Sequence, residues 1–171
     1  MHSRIIELGN APILPDDRMG ECSVPEWFYH SIADYTNAET DRDEDLKWFL
    51  EIVAHIVDVA EDGESFTFKP NAKKKYFHRQ YYAFLDKARE LTGISIEAFC
   101  AETPYDIGMA MYKLNEAYQD KFSFYIYYQD KLKTLDEWIR ETDLSESFYF
   151  GGTLDYLSLI HISEPTRQAE I

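Results

Sequence analysis

Three aspartates at alternate positions, Asp41, Asp43 and Asp45, resemble the first ligands of a calcium-binding loop. The pattern fails further on, because Leu46 stands where the turn requires glycine and Ile52 stands where the loop requires a bidentate glutamate. The chain also has no glycine-rich phosphate loop, no Gly-x-Ser-x-Gly, no His-Glu-x-x-His and no Cys-x-x-Cys motif. We therefore expect no enzymatic activity, no metal ion and no cofactor.

The remaining residues with nucleophilic or metal-binding side chains are isolated. His30, His55 and His78 fall on three separate predicted helices at no ligand spacing, which indicates surface or half-buried imidazoles. Cys22 and Cys100 are too few and too distant for a disulfide framework, so they fit a reducing compartment and predict a cytoplasmic protein. Both cysteines are expected to line the core as small apolar residues.

Acidic residues concentrate between positions 34 and 64, where eleven acids stand against two basic residues. Asp58, Glu61 and Asp62 are predicted to lie at the carboxyl end of a helix, where they would oppose its dipole. Trp48 lies among the acids of the same predicted helix, as is common for an interface anchor. A solvated helix face is the alternative interpretation. The candidate partner-binding surface comprises Asp41, Asp43, Glu44, Asp45, Trp48, Glu51, Asp58, Glu61 and Asp62.

This acidic surface predicts a non-enzymatic interaction protein that binds a basic protein partner. The most specific hypothesis is a DNA-mimic inhibitor of a nucleic-acid-processing enzyme, of the antirestriction or anti-CRISPR type. Glu44, Glu51 and Asp58 are seven residues apart, about 10.5 Å along a helix, whereas duplex phosphates advance about 3.4 Å per strand. A mimic would therefore need carboxylates from several structural elements.

A basic segment forms the opposite pole and carries the alternative hypothesis. Lys69, Lys73, Lys74, Lys75 and Arg79 lie within eleven residues that contain no acid, and tyrosines lie beside them. This composition is typical of a small site for phosphate or nucleic acid, with aromatic rings available for stacking. A solvated helix start and self-association through the opposite poles are the other interpretations.

The composition limits the class of protein. The 171 residues carry a formal net charge of −15, and 45% are hydrophobic. This length suits one domain, and the apolar fraction is too high for intrinsic disorder. An acidic excess argues against direct binding to nucleic acid or to anionic membranes. No apolar run approaches the roughly 20 residues that span a bilayer, and the start of the chain lacks the pattern of a signal peptide.

Hydrophobic periodicity and turn signals predict an α+β fold with the element order β-α-α-β-α-α-β-α-β. We expect about four strands, with the helices packed mainly on one face of the sheet. The predicted strands cover 4–8, 65–69, 122–128 and 147–156, the last of them bent at Gly151 and Gly152. The five helices of this order cover 25–37, 43–60, 72–92, 103–120 and 134–141, and residues 95–100 are an additional candidate for a short helix.

The carboxyl-terminal segment differs in character from the rest of the chain. Residues 157–167 read LSLIHISEPTR, which resembles the in-frame translation of a transposase-type sequencing adapter. This resemblance implies that residues 157–171 are a non-native tail and that the single domain covers residues 1–156. It also implies a gene from shotgun or metagenomic assembly, and hence a microbe or one of its mobile elements.

Overall fold

A computed structural model describes residues 2–101, 104–119 and 121–159. The described strands are β1 (His2–Gly9), β2 (Ala33–Asn37), β3 (Val57–Val59), β4 (Ser65–Phe68), β5 (Tyr125–Tyr128), β6 (Lys131–Thr134) and β7 (Ser147–Ser158). The described helices are α1 (Glu26–Ser31), α2 (Arg42–Val53), α3 (Ala72–Thr92), α4 (Ile96–Ala101), α5 (Pro104–Tyr118) and α6 (Leu135–Glu141). The α+β class is confirmed, whereas the expected number of strands is too low.

All seven strands form one sheet in the order β3-β4-β7-β1-β5-β6, and β2 also pairs with β7. The β1–β5 pair is parallel, and the other pairs are antiparallel. The long strand β7 therefore lies beside β1 along one edge and beside both β4 and β2 along the other. This arrangement places the first and the last described strands at the centre of the fold.

The bend predicted at Gly151 and Gly152 is a β-bulge. Ile6 pairs with Thr153 while Leu8 pairs with Phe150, so β7 contains one more residue than β1 across this step. Because side chains alternate along a strand, the extra residue reverses which face the following side chains occupy. The two halves of β7 consequently contribute to opposite faces of the sheet.

Two hydrophobic cores lie on the two faces. On one face, α2, α6 and the start of α3 cover residues from the first half of β7 such as Phe148 and Phe150. On the other face, Phe28 of α1 packs against Leu154 and Tyr156 from the second half. The expectation that helices lie mainly on one face is therefore too simple, because α1 covers the second core.

Two predicted helices continue too far, and each conceals a strand. The first was expected to reach residue 37, but α1 ends at Ser31 and β2 follows. The second was expected to reach residue 60, but α2 ends at Val53 and β3 pairs with β4. Gly63 has a φ of 72° in the turn between these strands, which permits the tight reversal that β3 requires.

Strand β6 was missed because its hairpin has an unusual turn sequence. Gln129 and Asp130 both have positive φ, 51° and 58°, which is the geometry of a type I′ turn usually made by Asn-Gly. Lys131 and Lys133 alternate with one apolar residue, as is common for an edge strand that must resist further pairing.

The segment assigned to a non-native tail begins inside β7. Leu157 pairs with His2 and Tyr35, and Ser158 pairs with Ala33. The backbone N–H of Leu159 donates a hydrogen bond to the carbonyl of Ile32. Residues 160–171 lie outside the described residues, so the boundary at residue 156 stays a prediction.

Candidate partner-binding surface

Asp45 is the clearest correction to the predicted acidic surface. Its side chain lies inside the fold, only 3% exposed, and accepts hydrogen bonds from Arg4 Nε and from Thr153 Oγ1, the latter at 2.9 Å. The same guanidinium also pairs with Asp155. This network joins the first turn of α2 to β1 and β7. Asp45 therefore holds the fold together and is not available to a partner.

Trp48 is only partly available as an interface anchor. Its ring is 39% exposed, packs edge-on against Phe124 at 4.7 Å between centroids, and lies 5.5 Å from the guanidinium carbon of Arg4. These contacts hold one side of the indole against the body of the protein. The other side remains open to solvent on the flank of α2.

Asp41 has a structural role at the start of α2. Its carboxylate accepts the backbone N–H groups of Asp43 at 3.1 Å and Glu44 at 3.2 Å, which makes it the N-cap of this helix. The neighbouring acids lie in the first turn, where they favour the helix dipole. The acids at 58, 61 and 62 lie beyond the end of α2, so the predicted conflict with its dipole is wrong.

The other predicted acids do form an exposed surface, which we call the acidic surface. Between residues 41 and 64, eight exposed carboxylates stand against Arg42 and Lys47, which leaves a net charge of −6. These carboxylates come from the first turn and outer face of α2, from β3 and from the following turn: Asp41, Asp43, Glu44, Glu51, Asp58, Glu61, Asp62 and Glu64.

Ion pairs neutralise only part of the acidic surface. Arg42 contacts Glu64 at 2.9 Å and Asp43 at 3.7 Å, and Lys69 lies 3.6 Å from Asp58. The other five carboxylates make no ion pair within the described ranges. Asp41 and Asp62 accept backbone N–H groups, whereas Glu44, Glu51 and Glu61 accept none from a described residue. The basic segment therefore neutralises one acid of this surface, and three carboxylates stay free for a partner.

A groove of about 440 Å³ runs between α2 and the turn that joins β3 to β4. Its apolar part consists of Leu46, Leu50 and Ala54. Its charged lining consists of three acids and two basic residues: Asp43, Glu51, Glu64, Arg42 and Lys47. Sequence reasoning missed the groove, because the approach of α2 to the turn depends on where the helix ends. The glycine-containing turn beside Glu64 was the available signal.

Arg42 closes one end of this groove and is itself fixed. Its Nε donates to the carbonyl of Gly151 at 2.7 Å, and its Nη2 donates to the carbonyl of Phe150 at 3.2 Å. The guanidinium thus donates hydrogen bonds both to the backbone of the bulge in β7 and to the carboxylate of Glu64. Lys47, in contrast, is exposed and forms no hydrogen bond or ion pair through its side chain within the described ranges.

The basic segment is divided by the structure. Lys69 donates to the carbonyl of Ala54 and Lys73 donates to the carbonyl of Arg140, so both are tied to the body of the protein. Lys74, Lys75 and Arg79 are exposed on α3 and form no ion pair with another described residue. Three of the five residues predicted for the anion-binding site, Lys74, Lys75 and Arg79, therefore remain available to a ligand.

A second cavity, of about 330 Å³, lies beside the β5–β6 hairpin but its charges are compensated. Lys133 and Glu141 line it and contact each other. This hydrogen bond from Lys133 is the main cause that lowers the pKa of Glu141 below its ordinary value. Burial raises the pKa of Tyr128, which also lines the cavity. We assign no site to it.

The cysteines differ from expectation, since Cys22 and Cys100 are both exposed free thiols instead of core residues. Exposed positions are found for His30, His55 and His78, in agreement with their predicted surface location. Within the described ranges, no three histidine, cysteine or acidic side chains are grouped so that they could hold a metal ion. No helix in those ranges combines the length and apolarity needed to cross a bilayer.

Comparison of the chain with protein-family models, with curated proteins and with solved structures finds no match.

Proposed function

We propose that this chain is a non-catalytic interaction protein that binds the basic surface of another protein through its acidic surface. One observation carries the proposal: the acidic surface holds eight exposed carboxylates with a net charge of −6, and three of them, Asp43, Glu51 and Glu64, line a groove that has an apolar floor. Charge of one sign concentrated on one face steers a partner of opposite charge and gives specificity.

The groove favours a particular kind of side chain from the partner. A lysine or arginine has an aliphatic stem that can pack on Leu50 and Ala54, while its charged head reaches Glu51, which makes no ion pair within the described ranges. Arginine suits such a site best, because its planar guanidinium can form paired hydrogen bonds to a carboxylate. The chemistry therefore points to a partner with clustered arginines.

The more specific proposal is that this partner is a nucleic-acid-processing enzyme whose DNA groove is occupied. Carboxylates that imitate a phosphate backbone must come from more than one element, since one helix has the wrong spacing. Here they come from α2, from Asp58 on β3 and from the turn that holds Glu61 and Asp62. This distribution supports the proposal.

A matched pair of double variants tests the binding surface. Glu44→Gln/Glu51→Gln removes two exposed charges from it, and Asp17→Asn/Glu26→Gln removes two exposed charges elsewhere. Fluorescence anisotropy with labelled nona-arginine should show about fivefold to tenfold weaker binding for the first variant, because exposed ion pairs contribute up to about 1 kcal/mol each. The second variant should change the affinity less than about twofold.

Equal losses in the two variants would show general charge attraction and would refute a defined surface. Binding should also weaken when salt rises from about 0.05 M to about 0.3 M, because exposed charges are screened. The same variants, added to a panel of restriction endonucleases, test the more specific proposal. Inhibition that survives the Glu44→Gln/Glu51→Gln substitution would refute the assignment of the DNA-mimic activity to this surface.

A further inference from the structure

Helices α3, α4 and α5 form a layer that buries little of its apolar surface. Ala72, at the beginning of α3, is the one fully buried residue that the structure describes in these helices. Helices in folded proteins derive most of their stability from packing an apolar face, and clustered exposed rings mark interaction surfaces. The exposed large side chains of this layer are Tyr81, Tyr82, Ile96, Phe99, Met111, Tyr112 and Tyr118.

The outer side of α3 carries a regular row of exposed residues, which we call the α3 ridge. Its members are Lys74, His78, Tyr82, Asp86 and Glu90, each four positions from the next. Residues at this spacing form one of the ridges by which helices pack against each other. The row begins with a base, has an aromatic ring at its centre and ends with two acids.

Aromatic contacts give the centre of the α3 ridge a defined shape. The ring of Tyr82 lies 5.0 Å from His78 and 5.3 Å from Tyr81, measured between centroids. Tyr81 and Tyr82 are 56% and 52% exposed, so about half of each side chain is free to contact another molecule. Large half-exposed rings flanked by charge are the usual centre of a protein interface.

A groove of about 300 Å³ lies next to Tyr81 and could receive such a ring. Phe77 and Phe84 of α3 line it together with Tyr118 of α5 and Arg140 of α6. The guanidinium carbon of Arg140 lies 4.4 Å from the centroid of Phe77 and 4.5 Å from that of Tyr118. The groove therefore has a rigid aromatic lining beside a cation, which suits a tyrosine.

We propose that a second copy of this chain docks on the α3 ridge, in addition to the partner proposed for the acidic surface. A two-fold axis at Tyr82 pairs positions that lie equally far from it on the two copies. Lys74 then lies opposite Glu90 of the partner subunit, and His78 lies opposite Asp86 of the partner subunit. The ridge is complementary to itself only in this antiparallel arrangement.

The charges along α3 favour this occupant over others. Residues 72–81 contain four basic residues and no acid, whereas the two acids of the helix lie in its second half. Asp86 and Glu90 each have a neighbour one turn away on their own helix, Arg89 and Lys87, both at 2.9 Å. Such exposed pairs are weak, so they leave the acids able to bind a lysine on another copy. A nucleic acid would be attracted only by the basic half of α3 and would meet two carboxylates at the other end of the ridge.

Sedimentation velocity over a range of concentrations tests the dimer. The wild-type chain should sediment as a species of about 40 kDa, twice its mass of 20.1 kDa. Lys74→Glu should weaken the dimer at least about tenfold, because two pairs of like charges then face each other. Glu90→Lys should do the same, and Lys74→Glu/Glu90→Lys should restore the dimer by exchanging the signs.

Lys113→Glu on α5 is the control, because it makes the same change of charge away from the ridge. Circular dichroism confirms that each variant is folded. A wild-type chain that stays monomeric at about 100 µM would overturn the proposal, since such an interface is too weak to matter. A dimer that the charge exchange fails to rescue would also overturn it. A shift of a 20-base-pair DNA duplex that Lys74→Ala abolishes would reassign the ridge to nucleic acid.

Discussion

Replacing Gly151 by alanine tests the close approach between β7 and the carboxylate of Glu7. A Cβ atom at residue 151 would lie 2.2 Å from Oε2 and 2.5 Å from Cδ of Glu7, far inside van der Waals contact. The buried carboxylate accepts the backbone N–H groups of Met19 at 2.9 Å and of Gly152 at 2.7 Å. The new methyl group must therefore displace Glu7 from both donors.

The size of the effect follows from these two bonds. A hydrogen bond to a charged group contributes about 1.5 to 3 kcal/mol, so the loss of both should lower the free energy of unfolding by about 3 to 6 kcal/mol. Urea unfolding followed by tryptophan fluorescence measures this change as a lower midpoint with an unchanged m value. Thermal unfolding should shift by roughly 2 to 4 °C for each kcal/mol.

Two further variants separate this mechanism from a general effect of adding a methyl group. Gly20→Ala places its Cβ where no atom lies within 4 Å, so stability should change by less than about 1 kcal/mol. In a Glu7→Ala background, Gly151→Ala should cost little, because the displaced carboxylate is absent. A loss below about 1 kcal/mol for Gly151→Ala alone, or an equal loss in both backgrounds, would refute the reasoning.

Two other predictions concern the α6 region. Lys133→Ala should raise the pKa of Glu141 towards its ordinary value in an NMR titration, while the pKa of Asp143, lowered mainly by a backbone hydrogen bond, should stay low. Because both pKa values are lowered by folding, this stabilisation is present at neutral pH and is lost as the pH falls through the folded-state values. Phe148→Ala should cost about 3 to 5 kcal/mol by opening a cavity among buried rings. Trp138→Phe should cost distinctly less, because the indole N–H forms no hydrogen bond with a described residue, and equal losses in urea unfolding would contradict this.

Sequence patterns correctly located those helices whose first residues are determined by neighbouring residues in the chain. The sequence carries the capping-box pattern, a Ser or Thr followed three residues later by Glu, at Thr134–Glu137 and at Ser23–Glu26. The box between Thr134 and Glu137 forms at the start of α6, with reciprocal hydrogen bonds of 3.2 Å. The pattern at Ser23 and Glu26 does not form a box, because α1 begins after Pro25 without a side-chain cap.

The errors in the fold come from contacts between distant residues. Val53, Ile56 and Val57 fit the period of a helix, but the last of them pairs with Phe68 across a strand ladder. Whether such β-branched residues continue a helix or enter a sheet is decided by the strand available beside them. The sequence pattern alone does not contain that information.

The sequence predicted only part of the candidate site, because the remaining part also depends on contacts between distant residues. The exposed positions of Glu44 and Glu51 follow from the helical period alone. The burial of Asp45 does not, because its partner Arg4 is 41 positions away and reaches it through the pairing of β1 with β7. An acid within a dense acidic segment can therefore be buried when strand pairing brings a basic residue from a distant part of the sequence next to it, as Arg4 is brought next to Asp45.

The bulge in β7 has a consequence for how the molecule unfolds. One strand supplies Phe148 and Phe150 to one core and Leu154 and Tyr156 to the other. Unfolding of β7 therefore removes side chains from both cores at once. The backbone of β7 is also paired with β1 along one edge and with β4 and β2 at the two ends of the other. Its amide protons should exchange with solvent last, and the two faces should behave as one cooperative unit.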